Sequence, residues 1–348
     1  MNFTFRTVPN VIFETGASAR LGAIVSPRMK RPVVVTDKGV VKAGLIDAAL
    51  ASLKAEGLDY HLFDGIEADP PARVVRHSVE VARAHKADGV IGFGGGSSMD
   101  AAKIIAVLLN STQTLEEIYG IGNIKGWRSA LALVPTTAGT GSEVTDIAVV
   151  TTDDDQKMGV LGDPMFADVA ILDPALTYGL PRPVTAATGV DAMVHAIEAY
   201  TNRHRKNPVS DALAREALRL LAANIVEACE NPSNRQARAN MALGAMLAGQ
   251  AFTNSPVGAV HGMAYPLGAL FHIPHGLSNS LMLEPVLRFS ASVAAPLYAE
   301  LGDVIGANAT GGFAARADAF IARLMATVAA TGVERRLSNL GVSHNDLP

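Results

Sequence analysis

The sequence predicts an α/β domain with a parallel sheet, followed by an all-α domain. The first half of the 348-residue chain alternates short apolar runs with stretches of helical spacing, and such alternation is typical of a parallel sheet. After about residue 180, β-branched runs become scarce and long Ala/Leu-rich segments replace them. This length suits about two domains. We therefore expect domains at residues 1–180 and 181–348.

The individual elements follow from the same patterns. The clearest strand is Pro32–Thr36, a β-branched run closed by Asp37-Lys38-Gly39. By the same criteria, the predicted strands are 32–36, 60–63, 89–93, 130–134, 148–152 and 169–172. The predicted helices are 41–56, 74–85 and 97–109 in the first half, and 186–200, 210–228, 234–252 and 314–331 in the second.

Composition excludes several classes of protein. Hydrophobic residues make up 49% and charged residues 18%, with a net charge of −4 and no block of five or six like charges, so we expect neither nucleic acid nor an anionic membrane as partner. Cys229 is the only cysteine, which excludes an intramolecular disulfide framework and a multi-cysteine metal site. The apolar region 241–271 is interrupted by polar residues and proline, so we expect no transmembrane helix. These features predict a cytoplasmic protein.

A glycine-rich loop follows the predicted strand 89–93. Gly95, Gly96 and Ser97 open the next predicted helix, where backbone N–H groups and the helix dipole hold a phosphate. The pattern only nearly matches the dinucleotide fingerprint, and the suitable acid, Asp37, precedes the glycines instead of following them. The alternative is a tight turn in which Ser97 and Asp100 form a capping box.

A second loop, residues 135–143, also leaves an apolar strand. Thr136, Thr137 and Thr140 supply hydroxyl groups that bind a sugar or pyrophosphate without bulk. The alternative is a turn that caps a helix at Glu143. Loops after two parallel strands converge at the carboxyl edge of the sheet, where α/β folds bind ligands. The pair therefore favours a nucleotide more than either loop does alone.

A third group of residues lies in the helical half. Asp191 and His195 are four residues apart, on one face of a predicted helix. Together with His261 and His275 they offer one carboxylate and three imidazoles, which suit Fe²⁺ or Zn²⁺. The alternative is a set of separate core histidines, although apolar surroundings favour mutual partners. For His272 a supporting or structural role is the simpler interpretation.

Several motifs in order resemble the iron-containing (group III) alcohol dehydrogenases, and the resemblance spans essentially the whole chain. The motifs are Thr36–Gly39, Gly94–Ser97 with Asp100–Lys103, Pro135–Glu143, Asp173-Pro174, Gly189–Tyr200, His261–Gly268 and Pro274–Gly276.

The resemblance implies a dehydroquinate synthase-like fold, NAD, a divalent metal and a homodimer or larger homo-oligomer. It implies that Fe²⁺, or Zn²⁺, is held by Asp191, His195, His261 and His275, with His261 also in the catalytic group. It places the cofactor diphosphate on Gly95, Gly96 and Ser97, and the adenosine ribose on Asp37, which would repel the 2′-phosphate of NADP. Further cofactor positions are Asp69, Asp100, Thr136, Thr137, Thr140 and Lys157.

Three positions depart from the family pattern. Tyr265 stands where many members have a histidine that relays the alcohol proton, and a phenol titrates near ~10. Asp69 replaces the usual asparagine of a cofactor contact. The sequence ends at Leu347-Pro348, where relatives continue, so we expect either a truncated or a naturally short C-terminus.

We therefore expect an NAD-dependent, metal-activated alcohol dehydrogenase or aldehyde reductase that acts on a primary or small alcohol. One alternative is a polyol dehydrogenase of the glycerol type, which four apolar residues disfavour: Phe252, Tyr265, Leu267 and Phe271. Another is a nucleotide- and metal-binding protein with little turnover. A metallohydrolase is a weaker third alternative, because it would not need two glycine loops.

Overall fold

The computed structural model describes residues 2–343 and 346, and the expected short ending at Leu347-Pro348 lies outside the described residues. The chain divides into two compact units. The α/β unit consists of Thr7–Thr137 and Ser142–Thr177. The helical unit consists of Met1–Arg6, Ala138–Gly141 and Tyr178–Pro348. The predicted order of an α/β region and then a helical region is confirmed.

The α/β unit is built on a six-stranded sheet in which every paired strand that the structure describes runs parallel to its neighbour. Two central strands are buried along their whole length, as expected of a sheet covered on both faces. The strand order is β1-β9-β6-β4-β2-β3. These strands are β1 (Val11–Phe13), β2 (Pro32–Val35), β3 (His61–Phe63), β4 (Gly89–Gly94), β6 (Ala130–Pro135) and β9 (Val169–Leu172).

One predicted strand belongs to a different sheet. Residues 148–152 were expected in the parallel sheet, but β7 (Ile147–Thr151) pairs antiparallel with β8 (Lys157–Leu161), and β5 (Gly120–Ile121) completes this small sheet. The turn between β7 and β8 closes with a hydrogen bond from the Thr152 amide to the Gln156 carbonyl, 2.8 Å. A hairpin turn this short joins antiparallel strands and not parallel ones.

The helices of the α/β unit agree with the sequence pattern except at one position. The helix expected over residues 41–56 is divided, because Gly44 adopts a left-handed conformation with φ 67°. The helices are α1 (Leu21–Val25), α2 (Lys38–Lys42), α3 (Asp47–Ala55), α4 (Ala72–Ala84) and α5 (Gly96–Leu108).

The helical unit contains the four predicted helices and two that the sequence pattern missed. The missed helices are α9 and α10, which carry Pro266 and the pair Pro285 and Pro296 in their interiors. Proline removes one backbone hydrogen bond and normally ends a helix, but tertiary packing supplies most helical stability in proteins. The helices are α6 (Arg182–Thr201), α7 (Pro208–Glu230), α8 (Arg235–Asn254), α9 (Ala259–Phe271), α10 (His275–Val304) and α11 (Phe313–Thr331).

Small residues allow the helices of this unit to pack closely. A Cβ atom at Gly189 on α6 would lie 2.7 Å from the Met241 Cε atom on α8, closer than real contacts allow. The buried face of α6 also includes Val190, Met193 and Val194, and it lies at the centre of the core of the helical unit. None of the described helices is long and apolar enough to cross a membrane.

Candidate active site

Four side chains from three helices meet in the helical unit. Asp191 and His195 lie one turn apart on α6, His261 lies in the first turn of α9, and His275 begins α10. Their ligand atoms all lie within 4.8 Å of one another. The Nε2 atoms of His195, His261 and His275 lie 3.9, 3.8 and 3.7 Å from the Asp191 Oδ1 atom. The structure thus brings together the four residues that the sequence singled out.

The surroundings of this group favour the protonation states that bind a metal. Asp191, His195 and His261 are buried, with exposed fractions of 1%, 4% and 3%. Burial alone raises the pKa of Asp191, but the three imidazoles and an amide lower it by more, so the net pKa lies below its usual value. Burial lowers the pKa of His195 to about 4, although the Asp191 carboxylate opposes this effect. At neutral pH the site therefore offers an anionic carboxylate and a neutral His195 imidazole.

The donor set fits a divalent transition metal. One carboxylate and three imidazoles are ligands that Fe²⁺ and Zn²⁺ accept. One of the two positive charges of such an ion would balance the charge of the buried carboxylate. The Nδ1 atom of His195 is buried and has no hydrogen-bond partner among the described residues. Cys229 lies in α7 and is not part of this group.

The sequence interpretation missed Glu198, which holds one of the four residues in place. Its carboxylate accepts hydrogen bonds from the amides of Gly258 (2.9 Å) and Val260 (2.6 Å) and from the Nδ1 atom of His261 (2.7 Å). Burial raises the pKa of Glu198, but these hydrogen bonds outweigh burial and keep the net pKa below the usual value. The ionised carboxylate fixes the proton of His261 on Nδ1, so its Nε2 lone pair faces Asp191.

A spacing signal for Glu198 was present in the sequence. Asp191, His195 and Glu198 are separated by four and three residues, so all three leave one face of α6. A second missed residue, Asn279, follows His275 by four residues on α10. It is fully buried, and it contacts the same group of ligands, as described below.

Aromatic rings cover part of the group. Phe252 on α8 stacks on the His195 ring with 4.4 Å between ring centroids. Tyr265 lies one turn after His261 on α9, and its half-buried ring stacks on His275 at 6.0 Å. His272 ends α9 in a left-handed conformation with φ 54° and is exposed, so it lies outside the group.

In the α/β unit, the glycine loop joins β4 to α5. A Cβ atom at Gly94 would lie 2.7 Å from the Ser98 Oγ atom, so a larger residue does not fit there. A Cβ atom at Gly95 would face space, with Thr137 the nearest side chain at 3.7 Å. No side chain in the described part of the chain caps α5, so the amides at its N-terminus suit an anion.

The alternative interpretation, a capping box of Ser97 and Asp100, does not hold, because α5 begins after Gly95 and has no side-chain cap among the described residues. The Asp100 carboxylate instead accepts hydrogen bonds from the Ser142 hydroxyl (2.5 Å) and the Val149 amide (2.9 Å). The Ser97 hydroxyl accepts a hydrogen bond from the Asp69 amide at 3.2 Å. Asp100 therefore ties the second loop and β7 to α5.

Three predicted cofactor residues lie beside this glycine loop. Asp37 follows β2, and its carboxylate accepts from the Val40 amide at 3.0 Å and from the Ser98 hydroxyl at 3.5 Å. Asp69 has φ 50°, a conformation that aspartate tolerates better than most residues. Its carboxylate forms an ion pair with Lys157, the first residue of β8. The strands β6, β4 and β2 are neighbours, which is why the segments after them meet at one edge of the sheet.

The threonines of the second loop are divided between the two units. Thr136 is buried, and its amide donates to the Gly94 carbonyl at 2.9 Å, while Thr137 faces Gly95. Thr140 belongs to the helical unit. The neighbouring Gly141 has φ 61°, and a Cβ atom there would lie 2.6 Å from the Gly249 Cα atom on α8. Glycine is required at this position by both conformation and space.

One unit contains a glycine loop at an uncapped helix N-terminus, and the other contains a group of Asp and His side chains that could hold a metal ion. Such a combination is typical of a metal-dependent dehydrogenase. Comparison with known proteins identifies the family. Residues 9–174 match the family model described as iron-containing alcohol dehydrogenase, and residues 185–348 match the C-terminal model of the same family. The chain belongs to the iron-containing alcohol dehydrogenase family.

Individual relatives agree with this assignment. The chain is 39% identical over 343 residues to long-chain-alcohol dehydrogenase 1 of Geobacillus thermodenitrificans, covering 94% of this chain and 82% of that protein. A crystal structure of 1,3-propanediol oxidoreductase superimposes with a TM-score of 0.96 at 35% identity, covering 99% of this chain and 91% of that one.

A third relative has been solved with a cofactor. The sulfoacetaldehyde reductase of Bifidobacterium kashiwanohense, in complex with NAD⁺, gives a TM-score of 0.87 at 28% identity and covers 99% of this chain and 90% of its own. The predicted family and fold class are confirmed, and the predicted reaction class is that of the family.

Proposed function

We propose that the chain is an NAD-dependent, metal-activated alcohol dehydrogenase that also reduces aldehydes, with a primary or small alcohol as substrate. The observation that carries the proposal is the group of Asp191, His195, His261 and His275, of which the first three are buried and whose ligand atoms lie within 4.8 Å of one another. Membership of the iron-containing alcohol dehydrogenase family supports the same reaction.

We assign the metal to these four residues. Fe²⁺, or Zn²⁺, bound there would supply a Lewis acid for the oxygen of the alcohol or aldehyde. The ionised Asp191 provides the charge that retains a cation, and Glu198 directs His261 toward it. Phe252 covers one face of His195 and limits the access of water to that ligand.

We assign the transfer of the alcohol proton to the Tyr265 hydroxyl. The Tyr265 ring lies 6.5 Å from the ring of His261 and 6.0 Å from that of His275. Its half-buried position leaves one side of the residue in contact with water. A phenol hydroxyl both donates and accepts a hydrogen bond, so it passes a proton without titrating itself.

We assign the nicotinamide cofactor to the α/β unit, and its nicotinamide ring would accept or return the hydride. The amides of Gly95, Gly96 and Ser97 would hold the diphosphate, because no described side chain caps α5. Thr136, Thr137 and Thr140 would contact the cofactor along the second loop, and Lys157 with Asp69 would contact the riboses. The two hydrogen bonds that the Asp100 carboxylate accepts indicate that Asp100 supports the cofactor through the loop.

Asp37 is proposed to select NAD over NADP. Its carboxylate lies beside the glycine loop, 3.5 Å from the Ser98 hydroxyl, where it would accept hydrogen bonds from ribose hydroxyls and repel a 2′-phosphate. An Asp37→Gly variant is expected to gain activity with NADPH. The assignment fails if the variant loses NADH activity without any gain with NADPH.

An assay with NAD⁺ as the oxidant, followed by the absorbance of the NADH that forms, tests the reaction. Purified protein loaded anaerobically with Fe²⁺, or with Zn²⁺, is expected to oxidise propan-1-ol and longer primary alcohols faster than glycerol, because Phe252 and Tyr265 offer a polyol few polar partners. His261→Ala is expected to lose both bound metal and turnover. His272→Ala, which replaces an exposed histidine outside the group, serves as the control. A His261→Ala protein with full metal content and turnover would refute the mechanism.

We also propose a cytoplasmic location and a homodimer or larger homo-oligomer. The single cysteine agrees with a reducing compartment. The oligomer is an expectation from the family. Light scattering of the eluting protein measures the mass, and a monomer at micromolar concentration would contradict this part of the proposal.

A further inference from the structure

The side-chain amide of Asn279 contacts three of the four proposed metal ligands. Its Nδ2 atom donates to the Asp191 Oδ1 atom at 2.6 Å. The same nitrogen lies 3.2 Å from the Nε2 atom of His261 and 3.2 Å from the Nε2 atom of His275. These three partner atoms are the ones that face one another in the metal group.

A bound cation and this amide compete for two imidazole lone pairs. An amide nitrogen carries only donor hydrogens and cannot ligate a metal, and an acceptor Nε2 atom has a single lone pair, so the nitrogen and a cation cannot both use the Nε2 atoms of His261 and His275. The Oδ1 atom of Asn279 is buried and has no hydrogen-bond partner in the described part of the chain. The amide is therefore held by its nitrogen alone.

We propose that Asn279 is a positioning residue that keeps the ligands assembled in the metal-free protein and is displaced when the metal binds. The inference rests on the proposed metal site. In the metal-free protein the Asp191 carboxylate is buried, and such a charge needs a donor. Asn279 supplies one, and a cation bound by the Nε2 atoms of His261 and His275 would displace it. The hydrogen bond stabilises the metal-free state and by linkage lowers the affinity for the metal.

The test compares Asn279→Ala with the wild-type protein, using Zn²⁺ alone as the probe. After treatment with a chelator, the variant is expected to unfold a few degrees below the wild type, because Asp191 loses its donor. A competing chromophoric chelator should then show that Zn²⁺ binds the folded variant about tenfold more tightly, since the loss of one hydrogen bond to a charged group is worth about this factor.

A second variant and a control make the result specific. Asn279→Asp keeps the size of the side chain but puts a second carboxylate beside Asp191. Its metal-free form should be less stable than that of Asn279→Ala, and Zn²⁺ should restore it. Asn279→Asp also provides the test of the proposal if Asn279→Ala does not fold. Ser280→Ala, at the neighbouring buried position, is expected to bind Zn²⁺ as the wild type does.

Two results would overturn the proposal. One is an unchanged melting temperature of the metal-free Asn279→Ala protein. The other is weaker Zn²⁺ binding by that variant, which would mean that Asn279 supports the loaded site instead. If the wild type binds Zn²⁺ and Asn279→Ala is indistinguishable from it, only the inference about Asn279 fails. If the wild type binds no Zn²⁺, the proposed metal site fails with it.

Discussion

Replacing Glu198 with glutamine should weaken metal binding without a large change in packing. In the structure one oxygen of Glu198 accepts from the amide of Gly258 and the Nδ1 atom of His261, and the other accepts from the amide of Val260. Glutamine has one acceptor oxygen and one NH₂ group. Either orientation of the amide therefore sets a donor against a donor.

The two orientations carry different costs. If the NH₂ group faces Val260, one buried N–H loses its acceptor, which costs about 1–3 kcal/mol of folding free energy. The bond from His261 then also loses its charge assistance. If the NH₂ group faces His261, the imidazole proton must move to Nε2, the atom that lies 3.8 Å from Asp191. That tautomer cannot ligate a metal through Nε2.

Loss of a carboxylate that orients a histidine ligand typically reduces metal affinity by about 10–100-fold, which corresponds to about 1.4–2.8 kcal/mol. Competition with a chromophoric chelator measures the Zn²⁺ affinity, and thermal unfolding in excess chelator measures the folding cost separately. Glu300→Gln is the matched control, because Glu300 accepts a hydrogen bond from Tyr200 on the same helix as Glu198. A Glu198→Gln protein with Zn²⁺ affinity within about twofold of the wild type would refute the orienting role.

Three further predictions concern other parts of the molecule. Burial raises the pKa of Glu143 to about 7, so the stability it contributes is present below its unfolded pKa and lost as the pH rises through 7. The free energy of unfolding, measured with denaturant between pH 5 and 8, should fall less steeply with pH in Glu143→Gln than in the wild type. An unchanged slope would contradict the raised pKa of Glu143. Gly141→Ala should lower the melting temperature and weaken NAD binding, because its Cβ atom would meet the Gly249 Cα atom at 2.6 Å; normal values for both would show that the loop adapts freely. Tyr265→Phe should lower kcat with little change in Zn²⁺ affinity and Tyr265→His should restore it, whereas full turnover of Tyr265→Phe would exclude the hydroxyl from proton transfer.

The sequence predicted the site residues best where residue type alone indicates the chemistry. Asp191 and His195 were paired by their helical spacing, His261 was added as a polar residue in apolar surroundings, and His275 was added as a further imidazole downstream. The structure brings all four together. Their assignment as ligands stays a prediction until metal is measured.

Glu198 and the amide of Asn279 were missed for a physical reason. A glutamate or an asparagine in a helix is most often a surface residue, and nothing local distinguishes these two. Glu198 is distinguished by the approach of the N-terminus of α9. Its carboxylate accepts hydrogen bonds from the amides of Gly258 and Val260 there. That contact joins segments about 60 residues apart, and a helical periodicity carries no information about it.

The fold shows the same division between local and distant information. Strands such as Pro32–Val35 are marked by β-branched residues within a few positions and were found. The small sheet combines a local hairpin between β7 and β8 with the pairing of β8 to the distant β5. The pattern did not identify β8 as a strand, and it therefore placed β7 in the wrong sheet. The long helix α10 was missed because its interior prolines suggest an ending, whereas its packing against other helices keeps it continuous.

Helix α6 explains why the metal site and the stability of the helical unit are linked. It places three ionisable side chains, Asp191, His195 and Glu198, within a core of apolar residues. Isolated charges there would be costly, but Glu198 is balanced by three donors, and Asp191 is balanced by Asn279 or by a metal. Because the compensating groups come from α9 and α10, the same contacts that order the ligands also hold these helices against α6. A metal bound by the assembled group would therefore add directly to the free energy of unfolding of the helical unit.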